Sequence, residues 1–137
     1  MIKEDLLDYY IAIYRCPEHS DIEKLCSPKY EICLIIPRKY VVSLRQVINA
    51  FYHYIDTIHI KKWIRNRNLR YAAFLLRESQ ISNIINKLEE GDEKLLIIIS
   101  REPPETGLEE VDIPHKSDED KLSHTAVFRL TIEKERK

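Results

Sequence analysis

The fold class this 137-residue sequence predicts is a single α/β domain of the α+β kind, with a mixed, mainly antiparallel central sheet flanked by helices. Three observations lead there. Four short runs dense in Ile, Leu and Tyr are apolar at both alternations, as strands covered on two faces are. Other stretches repeat apolar residues at three- and four-residue steps, the signature of one-sided helices. The length suits one domain with one real core, since a chain of about 150 residues buries roughly 70% of its unfolded surface.

The four expected strands are Tyr9 to Tyr14, Ile32 to Ile36, Tyr71 to Leu76 and Leu95 to Ile99. Helical periodicity is clearest from Val42 onward, where Leu44, Val47, Ile48, Phe51, Ile55 and Ile58 form one stripe. Ser43 is its expected N-cap, because its hydroxyl can accept an orphan N–H of the first turn. A second stripe, Ile81, Ile84, Ile85 and Leu88, ends near Gly91, with Ser79 as the expected cap. A third helix is expected from Ser117, with Asp120 as capping partner and Leu122, Ala126 and Val127 as its apolar residues. Asp21 to Cys26 reads as a short helix. Between Arg101 and Lys116, Pro103, Pro104 and Pro114 interrupt any period, so that stretch reads as a surface loop.

Composition closes off much chemistry. Only two glycines occur, Gly91 and Gly107, too few for a phosphate-cradling loop or a dinucleotide fingerprint. Cys16, Cys26 and Cys33 make an odd count without Cys-x-x-Cys spacing, so the expectation is reduced, mostly buried thiols. No apolar run approaches the ~20 residues of a membrane span, and the acidic start lacks a secretory pattern, so a cytoplasmic protein is expected. His19, His53, His59, His115 and His124 include no pair three or four apart that would aim at one metal. Acids cluster in polar stretches such as Glu89 to Glu93, and no Ser or Cys sits in a nucleophile motif. No cofactor, metal or catalytic residue is assigned. An enzyme built from scattered His and Glu is the rival reading.

Charge is uneven although the net charge is −1. From Pro37 to Arg77 nine bases stand against one acid, Asp56, leaving 13 bases and 22 acids elsewhere. Within Ile60 to Tyr71, Lys61, Lys62, Arg65, Arg67 and Arg70 alternate with Trp63 and amide side chains. Cations neutralise phosphates and an exposed aromatic stacks on unpaired bases, so these six are the candidate RNA-binding residues. The competing reading is a solvated helix end with Trp63 turned into the core. The helix from Gln80, with Ile81, Ile84, Ile85 and Leu88, is the candidate partner-docking element, set against ordinary packing on its own sheet.

The order of elements, with Asp21 to Leu25, the long helix containing Ala50, and Phe74-Leu75-Leu76-Arg77-Glu78-Ser79-Gln80-Ile81, resembles the smallest accessory subunit of the KEOPS (EKC) complex. This is the family of the PRPK-binding protein, known in archaea and eukaryotes. Gln80-Ile81 and the preceding Leu75 and Leu76 match its pattern of a buried strand, a tight turn and a helix beginning Gln-Ile. His59-Ile60-Lys61-Lys62 and the segment from Asp120 to Glu133 are further points of similarity. Departures fall at Gln46, where the family often has histidine, at Arg70, where it has an acid, and at Arg77, where it has glycine or a small residue. The resemblance implies a non-catalytic subunit that binds and stimulates a small atypical kinase/ATPase. Through it, the chain would support the threonylcarbamoyltransferase subunit that modifies tRNA, and would itself help to bind tRNA. A stand-alone RNA-binding α/β domain is the alternative.

Overall fold

The computed structural model describes residues 1–4, 7–17, 25–60, 63–91 and 93–115. Four strands, β1 (Ile2–Glu4), β2 (Tyr9–Arg15), β3 (Ile32–Pro37) and β4 (Lys94–Ser100), form one sheet in the order β1-β2-β4-β3. Every pairing is antiparallel, with Ile13 opposite Ile97 and Leu34 opposite Ile97 across the centre. Three helices accompany it: α1 (Leu44–Asp56), α2 (Arg67–Leu76) and α3 (Ile81–Leu88). The fold class is therefore as the sequence predicts. The expected helix from Ser117 and residues 21–24 of the expected helix at Asp21 to Cys26 lie outside the described residues; of the latter, Leu25 is helical and Cys26 is not.

Both faces of the sheet are buried, which is why its strands are apolar at every position. On one face Ile11, Ile13, Ile32, Leu34, Ile36, Leu95, Ile97 and Ile99 meet the three helices. On the other, Ala12, Tyr14, Cys33, Leu96 and Ile98 are covered by Leu25, Cys26, Tyr30 and Leu108. A fully buried Ile or Leu contributes roughly 1.5–3 kcal/mol, so the central strand β4 is the main anchor.

The stretch Tyr71 to Leu76 is a helix, not the expected strand. Asn66 caps it by accepting the Leu69 N–H (3.0 Å), and the helix runs ten residues from Arg67. Every residue from Arg70 to Leu76 is buried, because α2 lies between α1, α3 and β3. A helix enclosed on all sides shows no polar face, so its apolar run imitates a buried strand. The small side chains of Ala72 and Ala73 permit the close approach of its neighbours.

Helix α1 starts as the sequence predicts. Ser43 Oγ accepts the Gln46 N–H (3.1 Å) while Gln46 Oε1 accepts from Ser43 (3.4 Å) and Val42 (2.7 Å), a capping box. The two remaining first-turn donors, Leu44 and Arg45, bond to the carbonyls of Pro114 (2.8 Å) and His115 (2.9 Å). The loop from Arg101 is thus tied at its far end. It also adds a short rung to β2, with Arg15 N–H on Glu109 O (2.9 Å) and Val111 N–H on Ile13 O (3.0 Å). From α1, Phe51 and Tyr54 join Tyr9 and Tyr71 in an aromatic cluster with centroids 4.9–6.5 Å apart. The phenols of Tyr71 and Tyr54, both 0% exposed, keep partners, Tyr71 donating to Val47 O (2.9 Å) and Tyr54 to Glu31 Oε1 (2.7 Å). Burial first, and then the Glu31 carboxylate, pushes the Tyr54 phenol well above its usual pKa.

The cysteine expectation also requires correction. Cys26 and Cys33 form a disulfide with Cα atoms 5.8 Å apart, and Cys16 is a free thiol. Cys33 points to the second sheet face, and the chain crosses that face at Cys26 on its way into β3. Spacing along the sequence carries no trace of that return.

Candidate functional site

Helix α3 is placed by the turn before it. Arg77 closes α2 in the left-handed region (φ 56°, ψ 50°), and its N–H and that of Glu78 both bond to Ala73 O. Glu78 then pairs with Lys87 (2.7 Å) in the last turn of α3, which fixes the helix against the junction. The N-cap is Gln80 rather than the expected Ser79, and it makes no side-chain capping bond.

The five residues read as one docking stripe divide. Ile84 is 0% exposed and belongs to the core, and Leu88 is half-buried against it. Ile81 (47%) and Ile85 (39%) are open, as is Gln80. Assigning Ile84 to a docking surface is therefore corrected: the stripe straddles the edge of the buried face, and 300° of rotation from Ile81 carries Ile84 inward (about 100° per residue). The outward surface consists of Gln80, Ile81, Ser82, Asn83, Ile85 and Asn86, all exposed and none charged. In a chain with 33% charged residues this is a distinct feature.

The basic segment fares differently. Lys61 and Lys62 lie outside the described residues. Arg65 is exposed, without an ion pair among the described residues. Arg67 is exposed but shares the Glu31 carboxylate (3.3 Å). Trp63 is half-buried, edge-on to Phe74 at 5.3 Å and with its face 5.2 Å from the Arg70 guanidinium.

Arg70 as an RNA contact is a correction, since it is only 6% exposed. Its guanidinium donates to Ile60 O (2.9 Å), Ile64 O (3.3 Å) and Thr57 O, the carbonyls of the α1–α2 connection. Burial pulls its pKa below the ordinary arginine value, yet the three carbonyls favour the charged form. The fork of donors is what the site uses, and phosphate has no access to it.

Acids from outside the segment offset more of its charge. Arg38 pairs with Glu93 (3.1 Å) and Lys39 with Glu90 (2.9 Å). Glu90 also accepts from the Tyr40 hydroxyl, and that bond, followed by the one to Lys39, holds its carboxyl below the ordinary value of 4.5. The local excess of bases in the sequence is thus much reduced at the surface.

A cleft of about 580 Å³ that the sequence did not signal opens beside the end of β4. Lys29, Tyr30, Ser100, Arg101, Glu102 and Glu105 line it, and the Arg101 guanidinium lies 4.7 Å above the Tyr9 ring. Neither cation belongs to the basic segment, which is why charge counting passed over it. Among the described residues no three His, Cys, Asp or Glu side chains converge as a metal ion would require. His53 is half-buried, stacked on Phe74 at 5.9 Å, while His59 and His115 are exposed. No described helix is long and apolar enough to cross a membrane. Compared with known proteins, the chain matches no family model, no curated protein and no solved structure.

Proposed function

We propose that this chain is a non-catalytic regulatory subunit of a KEOPS-type assembly in the cytoplasm. It docks the small kinase/ATPase subunit through the outer face of α3 and so supports the threonylcarbamoyltransferase subunit and its tRNA. The observation that carries the reading is that outer face: six exposed residues without a charge, including two isoleucines one turn apart. Interface centres are depleted of charge and enriched in apolar side chains, and an i, i+4 pair is how a helix addresses a groove. The turn before α3 adds support. Arg77 occupies a left-handed conformation at the position where the resembled family carries glycine or a small residue, glycine being the residue that adopts it most easily. A contribution to tRNA binding rests on Arg65 and Arg67, with Lys61 and Lys62 beside them in sequence.

Co-expression of the full chain with the kinase/ATPase subunit tests this. Ile81→Glu with Ile85→Glu should abolish co-purification while the unfolding free energy of the isolated chain stays within about 0.5 kcal/mol, as exposed sites allow. Ile84→Ala supplies the contrast, losing about 2–5 kcal/mol of stability through a core cavity. Full retention of the kinase by the double variant would remove α3 from the interface.

A further inference from the structure

The disulfide sits where a bond can govern more than stability. Residues 26–33 form a small closed loop, and its members serve two separate regions. Lys29 and Tyr30 build one wall of the cleft, against Ser100, Arg101 and Glu102 on the other. Glu31 accepts from the Tyr54 hydroxyl (2.7 Å) and from Arg67 (3.3 Å), linking the loop to α1 and to the start of α2. Few other ties hold the loop. Tyr30 N–H bonds back to Ser27 O (3.0 Å), a local turn. Before β3 begins, the Glu31 N–H on Ile99 O (2.9 Å) ties the loop's backbone to β4, and at its far end, within the β3 pairing, Cys33 N–H donates to Asn68 Oδ1 (2.9 Å).

We infer that Cys26–Cys33 is a redox clasp: in its oxidised form it fixes the 25–31 segment against the sheet, and its reduction releases the cleft wall. Access is asymmetric, because Cys26 is half-buried whereas Cys33 is 8% exposed. A dithiol reductant supplies the two electrons. Its first thiolate attacks the Cys26 sulfur, forms a mixed disulfide and expels the Cys33 thiolate, which takes up a proton. Its second thiolate then displaces Cys26, which is protonated in turn, and the reductant leaves as a cyclic disulfide. Cys16 is not placed to attack the Cys33 sulfur. It follows Arg15, with its N–H on Lys94 O, whereas Cys33 stands opposite Ile98. Four residues along β4 separate the two by about 13 Å, before the distance across strands is added.

The consequence is local loosening. Without the bond, the segment is held by the apolar contacts of Leu25, Cys26 and Tyr30 and by the Glu31 bonds. The strands beneath keep their ladder and both covered faces, so the change should stop at the edge of β3.

Hydrogen exchange read by mass spectrometry on the full chain tests this, with alkylation counting free thiols. Air-oxidised protein should show one free thiol and dithiothreitol-treated protein three. On reduction, amide exchange across 25–31 should rise at least ten-fold, with β2, β3, β4 and α1 unchanged. Cys26→Ser with Cys33→Ser should exchange fast in both buffers. Three free thiols in the oxidised protein, a bond that dithiothreitol cannot open under native conditions, or exchange that is unchanged or uniformly raised would each overturn the inference.

Discussion

Arg70 offers the sharpest separation between a structural cation and a nucleic-acid contact. Consider Arg70→Met, which keeps much of the apolar stem and removes the fork. The carbonyls of Thr57, Ile60 and Ile64 then lose their shared donor within the connection that joins α1 to α2. A buried acceptor left unpaired costs about 1–3 kcal/mol. Three such acceptors do not add fully, because Ile58 and His59 nearby are exposed and water can reach part of the loop. Relief of the guanidinium's own desolvation offsets some of the loss as well. The net expectation is about 3–5 kcal/mol, or on the order of 10–15 °C in midpoint for a chain of this size. Urea unfolding followed by Trp63 fluorescence, with the m-value checked for constancy, measures it. Arg70→Lys retains the charge but cannot reach three carbonyls at once, and should lose about half as much. Arg65→Met, at an exposed position, should stay within about 0.5 kcal/mol. A stable Arg70→Met protein that binds tRNA more weakly with a shallower salt slope would refute the reasoning, since it would make Arg70 a phosphate ligand.

Two further outcomes are expected. Arg77→Gly should raise stability by about 0.5–1 kcal/mol in thermal unfolding, because a left-handed residue with a Cβ carries a backbone penalty that glycine lacks; a loss would mean that the side chain's own contacts outweigh it. Glu90 has a folded-state pKa below 4.5, so its contribution is complete above that pH and fades as the pH falls through the lower folded value. Glu90→Gln should therefore flatten the acid limb of a midpoint-against-pH curve, and parallel curves for the two proteins would remove the Tyr40–Glu90–Lys39 cluster from the explanation.

What the sequence disclosed depended on whether a feature was local. Strands β2, β3 and β4 were legible within a residue at each end, because double-sided burial leaves every position apolar. Helix α1 was legible from its stripe, and Ser43 with it, since a cap is decided by four consecutive residues. Strand β1 has only three residues and owes its identity to its partner, Ile2 lying opposite Ile11. The apolar run at Tyr71 misled because enclosure erases the helical polar face. The basic segment overstated its surface charge for a related reason. Glu31, Glu90 and Glu93, which offset three of its bases, come from other parts of the chain. The α3 stripe was found, but its division into a buried Ile84 and an open Ile81 and Ile85 follows from how α3 rests on its neighbours.

The segment from Glu109 to His115 makes strand β2 and the head of α1 depend on each other. It closes part of the β2 edge that β1 leaves open, and its last carbonyls occupy the amides at the head of α1. A chain cut back to Leu108 would lose both services together: α1 would begin with two bare donors, and unpaired backbone along β2 would face solvent. Exposed strand backbone invites pairing with another molecule, so such a fragment would tend towards self-association even with most of its core intact.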